Sequence, residues 1–210
     1  MKPLKLIIFD FFGTLAYFRK SDPHEFFSDL AHFGFQIKTE EEMKLFGQLF
    51  KKSSVLAKDW LDFTRIFVNG FSLEIDDEKT KQLSAFLKEK TGVYLFDDAK
   101  EVFGLPMKKA VLSTGARFLI EETIPRAFEV FSPDETKFIK PDPRSFSFVL
   151  EKMNVDAKDA LMVGDEIERD LIPAESLGMD TILIDRENKI SNPSFKKIHS
   201  LKELKILLGL

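Results

Sequence analysis

The sequence predicts an α/β fold, a doubly wound parallel sheet with a helical bundle inserted near its start. Three observations carry this. Residues 4–9 (LKLIIF) are a continuous apolar run ending in Asp10, the pattern of a strand covered on both faces. Residues 21–92 carry about four helical patterns and no strand. After residue 93, short apolar runs alternate with helical patterns, which implies parallel strands with helices on both faces. The chain has 210 residues, enough for one α/β domain or for such a core plus a small insert.

Each element has its own signal. Gly13 and Thr14 break the first strand. Ser21, Asp22 and Pro23 open a helix, and Thr39 with Glu42 forms a capping box for a second, running to about residue 58. Residues 60–71 and 76–90 read as two more helices, stopped by Gly92. The boundaries expected are 1–16 and 93–210 for the α/β core and 17–92 for the insert. Within the core, residues 109–112, 129–131, 160–163 and 181–184 read as strands. With the first strand they make a sheet of about five. Residues 143–153, 168–177 and 201–208 read as helices, the second closed by Gly178.

Composition narrows the function classes. The formal net charge is −4 and there is no basic block, which argues against nucleic-acid and anionic-membrane partners. With no cysteine, disulfides, thiolate metal sites and a cysteine nucleophile are excluded. Asp10 interrupts the apolar N-terminal run and no small-residue cleavage site follows, so the run does not read as a signal peptide. No apolar stretch is long enough to span a bilayer. A reducing, cytoplasmic setting is the expectation.

In open parallel sheets, sites form at the carboxyl ends of strands. Three strands here end in reaction-capable residues: Asp10, Ser113 and Asp165. One such Asp is usually a cap or turn former. Three in one chain make that reading poor. Residues 10–15 read D-F-F-G-T-L, Ser113 and Thr114 follow the 109–112 strand, and Lys140 stands in K-P-D-P just before a helix. Residues 164–170 read G-D-E-I-E-R-D.

This ordered set resembles the haloacid dehalogenase superfamily of hydrolases, over about residues 5–17 and 94–190. The resemblance implies a Rossmann-like core and assigns the helical insert, by position and helicity, as a C1-type cap. It also implies a phosphatase-like hydrolase with Mg²⁺ as cofactor and a small phosphorylated molecule as substrate. Asp10 is then the nucleophile, forming an aspartyl-phosphate that water hydrolyses. Asp10 and Asp165 would supply metal oxygens, with the backbone carbonyl of Phe12. Asp170 would stand near the metal or orient Lys140. Ser113 and Thr14 would contact the phosphoryl group, and Lys140 would supply positive charge to the developing transition state. Each has a plainer reading: Thr14 as a turn residue, Ser113 as a cap, Lys140 as a solvated lysine, Asp170 as a charge at a helix N-terminus. Glu166 reads equally as a residue close to the metal or an exposed helix-start acid, and Thr114 is left outside the set.

One departure matters. Phosphatases of this family read D-x-D in the first motif, and the second Asp transfers a proton to the leaving oxygen. Here that place is Phe12, which cannot. Metal-independent 2-haloacid dehalogenases of the same superfamily also lack that Asp. The fourth motif argues against this alternative, because Asp165, Glu166 and Asp170 are retained where dehalogenases carry neutral residues. The dehalogenase arginine for a substrate carboxylate has no match either. Residues 20–92 hold only Arg65, with Arg19 a weak substitute. A third reading is a weakly active or inactive phosphate- or metal-binding protein. The phenylalanines of the insert read first as helix-bundle core and second as pocket lining. His24 and His32 read as surface or packing residues.

Overall fold

The computed structural model describes residues 4–191 and 194–210; residues 1–3, 192 and 193 lie outside it. The chain divides into two compact units. One comprises Met1–Tyr17, Leu95–Thr114 and Thr123–Leu210, the other Phe18–Tyr94 and Gly115–Glu122. The segment Gly115–Glu122 therefore groups with the inserted helices, a tertiary association that its sequence does not signal.

The second unit is helical: α1 (Pro23–His32), α2 (Glu40–Leu56), α3 (Trp60–Gly70), α4 (Asp77–Thr91) and the short α5 (Arg117–Glu121). Their starts are chemically specified. Asp22 caps α1 by accepting from the Glu25 amide at 3.0 Å, with Pro23 in the first turn. Thr39 and Glu42 complete the expected capping box of α2. Asp59 and Asp76 cap α3 and α4.

The aromatic side chains form this unit's own core, as the packing reading expects. Phe63 and Phe67 are fully buried. Phe46 lies edge-on to Phe67 at 5.1 Å and to Phe26 at 5.8 Å. Burial of one such ring contributes about 1.5–3 kcal/mol. Segment α5 joins through Trp60, which packs on Phe118 at 5.7 Å and donates to Glu122 at 3.3 Å. His24, His32, Arg19 and Arg65 are all exposed.

The first unit carries the sheet. Its strands, in chain order with those flanking the insert, are β1 (Leu6–Phe9), β2 (Ala16–Phe18), β3 (Val93–Leu95), β4 (Lys108–Leu112), β5 (Glu129–Phe131), β6 (Ala160–Gly164), β7 (Asp180–Ile184) and β8 (Lys197–Ile198). Strands β2 and β3 make a two-stranded ribbon where the chain passes into and out of the insert. The other six form one parallel sheet in the order β5-β4-β1-β6-β7-β8. It has six strands rather than five because β8, two residues long, is too short to leave a pattern.

Strand β1 lies between β4 and β6, with Phe9 opposite Val111 on one side and Val163 on the other. The chain fills one flank of β1 and then returns to the other, so the order reverses beside β1, where open sheets place their sites. One sheet face, with Leu6, Ile8 and Met162, packs against Phe146, Val149 and Met153 of α7 (Pro143–Met153), α6 being a single turn (Pro133–Thr136).

After β6 the expected single helix is two pieces, a π-helical turn (Ile167–Leu171) and then α8 (Ile172–Ser176). The Ile172 amide reaches the Ile167 carbonyl, five residues back. Pro173 accounts for this: it has no N–H and its ring crowds the carbonyl four residues earlier, so the ladder before it is offset. Helix α9 (Leu201–Leu208) closes the chain behind a capping box at Ser200.

Candidate active site

Asp10, Ser113 and Asp165 follow directly on β1, β4 and β6, three neighbouring parallel strands. Neighbouring strands lie about 4.8 Å apart, so their side chains converge. Backbone pairing continues one residue further at two of these ends, from the Asp10 amide to the Val163 carbonyl (2.9 Å) and from the Ser113 amide to the Phe131 carbonyl (3.0 Å). Lys140 arrives from the loop before α7, whose first turn is fixed by Asp142 as N-cap. Asp170 comes from the π-helical turn.

The five meet in one cavity of about 60 Å³, lined also by Phe12, Thr114, Glu166 and Arg169. The Lys140 ammonium bridges two carboxylates, donating to Asp10 Oδ1 at 2.5 Å and Asp170 Oδ1 at 2.6 Å. All three side chains are buried, Lys140 to 5 % and Asp170 to 1 % exposure. Asp170 also accepts from the Glu166 amide at 3.2 Å. Thr14 does not line the cavity. Its hydroxyl donates to Asp165 Oδ1 at 3.4 Å, so the structure gives it an orienting contact.

Two glycines permit this closeness. A Cβ on Gly13 would stand 2.1 Å from Asp165 Oδ2, and the residue also holds φ +89°, a conformation that favours glycine. A Cβ on Gly164 would stand 2.4 Å from Asp170 Oδ2. The D-x-x-G-T and G-D motifs therefore need glycine for close approach to a carboxylate.

The cluster is short of positive charge. Carboxylate oxygens of Asp10, Asp165 and Asp170 lie within 4.8 Å of one another, with one ammonium among them. Burial pushes the Asp10 carboxyl up to about 7; Lys140 opposes this, and the charges of Asp170 and Asp165 add to it. Asp165 rises to about 6, through burial and then Asp170. Burial alone would lower Lys140, but Asp10 and Asp170 more than offset it and hold the ammonium charged. Asp10 Oδ2 is buried without a hydrogen-bond partner. A set of carboxylate oxygens around an unsatisfied buried oxygen is a donor set that could hold a hard cation.

Phe12 is half-buried at the cavity and packs edge-on against Phe11 at 4.9 Å. Thr114 and Arg169 were not singled out from sequence. The Arg169 guanidinium pairs with Glu166 at 3.1 Å and donates to Thr114 Oγ1 at 3.5 Å. Neither has a local signal, since only the folded turn after β6 brings Arg169 back to the end of β4.

The fold is of the α/β class, with buried Asp10 at the carboxyl end of the strand beside which the sheet order reverses. The haloacid dehalogenase-like hydrolase model matches residues 4–178, and the chain belongs to that family. Among curated relatives, the glyceraldehyde 3-phosphate phosphatase of Methanocaldococcus jannaschii is 24% identical over 196 residues, 86% of this chain and 85% of that protein. The Pyrococcus abyssi protein of the same name is 46% identical over 43 residues, 20% of this chain and 18% of its own. Among solved structures, a HAD phosphatase from Thermococcus onnurineus superposes with TM-score 0.66 at 22% identity, over 98% of both chains. A 2-haloacid dehalogenase from Pseudomonas syringae superposes with TM-score 0.68 at 20% identity, also over 98% of both. The two structural likenesses show the fold and choose neither chemistry. Among the described residues, no helix is long and apolar enough to cross a membrane.

Proposed function

We propose that this chain is a Mg²⁺-dependent phosphoric monoester hydrolase acting on a small phosphorylated metabolite through an Asp10 phosphoenzyme. The observation that carries the reading is the group of buried Asp10 and Asp170 with half-buried Asp165, and one lysine among them. A dehalogenase needs no metal, and for it two extra carboxylates beside the nucleophile would only raise the nucleophile's pKa. The name of the M. jannaschii relative supports a phosphate ester as substrate.

Asp10, Asp165 and Asp170, with the Phe12 carbonyl, would hold the cation, which when bound neutralises charge repulsion between carboxylate and phosphate. The Asp10 carboxylate attacks phosphorus, the bond to the leaving oxygen breaks, and water later hydrolyses the acyl phosphate. Lys140, already 2.5 Å from Asp10, favours the ionised nucleophile against the effect of burial and offers charge to the phosphoryl oxygens. Ser113 donates to one of those oxygens, and Thr14 orients Asp165. In this reading residues 1–16 and 93–210 do the chemistry, and residues 17–92 serve as the cap that selects substrate.

Phe12 favours a second reading. With no proton donor at its position, the site is also suited to a weakly active phosphate- or metal-binding protein. The test is release of p-nitrophenol from p-nitrophenyl phosphate with and without Mg²⁺. We expect Mg²⁺-dependent turnover that vanishes in Asp10→Asn. Halide release from 2-haloacids without metal refutes the phosphatase reading. Mg²⁺ binding with no turnover of either substrate supports the binding protein.

A further inference from the structure

Arg186 follows β7 and belongs to none of the motifs that mark the site. Its guanidinium is nonetheless committed to the loop after Asp10. Nε donates to the Gly13 carbonyl at 3.2 Å and Nη2 to the Thr14 carbonyl at 2.6 Å. The same group pairs in bidentate fashion with Asp98, Nη1 to Oδ2 at 3.0 Å and Nη2 to Oδ1 at 2.9 Å. It stacks on Phe96, 3.8 Å from the ring centroid, and the Phe96 amide donates to the Leu15 carbonyl at 3.0 Å. Three successive carbonyls of one loop are therefore held from outside it.

Asp98 is held in turn. It accepts from Ser200 Oγ at 2.7 Å and from the Leu201 amide at 2.9 Å, at the start of α9. Burial would raise its carboxyl, but these bonds and Arg186 keep it below the usual range. On the loop itself, Gly13 is in contact with the Asp165 carboxylate and Thr14 donates to it. Only a planar fork with five N–H donors can span the carboxylate and both carbonyls together; a lysine cannot.

We infer that Arg186 is a positioning residue for the metal site: anchored by Asp98, it fixes the backbone of Gly13 and Thr14 and thereby where the Asp165 carboxylate stands. This rests on the phosphatase reading of the Asp10 site. Partners that orient a metal ligand typically change metal affinity 10–100-fold when altered.

The test uses the full chain stripped of metal. Mg²⁺ binding is titrated calorimetrically, and kcat and KM for p-nitrophenyl phosphate are measured well below the melting temperature. For Arg186→Lys we expect the Mg²⁺ Kd to rise about tenfold and kcat to fall, with substrate KM within about twofold. Asp98→Asn should shift both in the same direction, and it carries the test if Arg186→Lys does not fold. Lys205→Ala, which removes the Lys205 to Glu101 ion pair of α9 at 3.0 Å, should change neither. A variant that melts lower yet keeps wild-type Mg²⁺ affinity and kcat overturns the inference and makes the cluster structural only. Asp10→Asn that still turns over phosphate overturns the parent reading alone. A wild-type chain that binds no Mg²⁺ overturns both.

Discussion

Asp10→Asn should abolish turnover and also make the metal-free protein more stable at alkaline pH. Asn keeps the shape of Asp10 and removes its charge. The folded-state pKa of Asp10 is about 7, against an ordinary 3.8, because burial and the neighbouring carboxylates outweigh Lys140. The folded chain therefore holds this proton more tightly than the unfolded one. That contribution is fully present below pH 3.8 and is lost as pH rises through about 7. At about 1.36 kcal/mol per pH unit, the ionised group costs on the order of 4 kcal/mol at pH 8. The attraction to Lys140, which Asn forfeits, is already inside the pKa of about 7. We expect a gain of about 2–4 kcal/mol, which for a chain of this size is on the order of 10 °C in Tm. Melting curves in EDTA from pH 5 to 8.5 measure it. The gap between variant and wild type should open with rising pH and shrink when Mg²⁺ is added to the wild type. A variant that melts lower at pH 8, or a gap independent of pH, refutes the reasoning.

Other perturbations test the remaining parts. Lys140→Met leaves two buried carboxylates without their cation; it should cost about 3–5 kcal/mol in urea unfolding, and adding Asp170→Asn should recover part of it. Gly13→Ala forces a Cβ toward Asp165 in a backbone conformation that alanine resists, and should weaken Mg²⁺ binding about tenfold by calorimetry. Phe12 makes turnover depend steeply on the leaving group, so aryl and acyl phosphates should outpace alkyl phosphates. Phe12→Asp should raise alkyl phosphate kcat by up to about 10²-fold, and a flat dependence on leaving-group pKa counts against a missing proton donor. Phe67→Ala, in the centre of the helical unit, should cost about 3–5 kcal/mol.

The sheet was legible where a local pattern exists. Buried parallel strands leave apolar runs, and β5 and the helices α7 and α9 fall where the sequence puts them. Asp10, Ser113 and Asp165 could be found because each ends such a run. Lys140 was reachable only through the motif order, since nothing in K-P-D-P says which way its side chain turns. Strand β8 has two residues and so has no period to detect. The π-helical turn follows from Pro173, a visible residue whose effect depends on the helix already being there. Arg169, Thr114 and Arg186 are tertiary facts. Their partners lie 55 residues away for Arg169 and Thr114, and 173 for Arg186 and Gly13, and no spacing rule connects them.

The charge imbalance and Phe12 together constrain the chemistry more than either does alone. Burial and the neighbouring carboxylates raise Asp10 to about 7 and Asp165 to about 6, so a bound cation would favour the ionised form of both. A protonated Asp10 is not a nucleophile, so in the proposed mechanism a bound cation would raise the fraction of chains able to attack at neutral pH. In that mechanism the cation and Lys140 would thus provide for the attack. The departure of an alkoxide is not provided for, since the ring of Phe12 offers no proton and Lys140 is already committed to Asp10 and Asp170. A site arranged in this way favours substrates whose leaving oxygen is stable as an anion. Phosphates of acidic hydroxyl groups, or acyl phosphates, are the first substrates to assay.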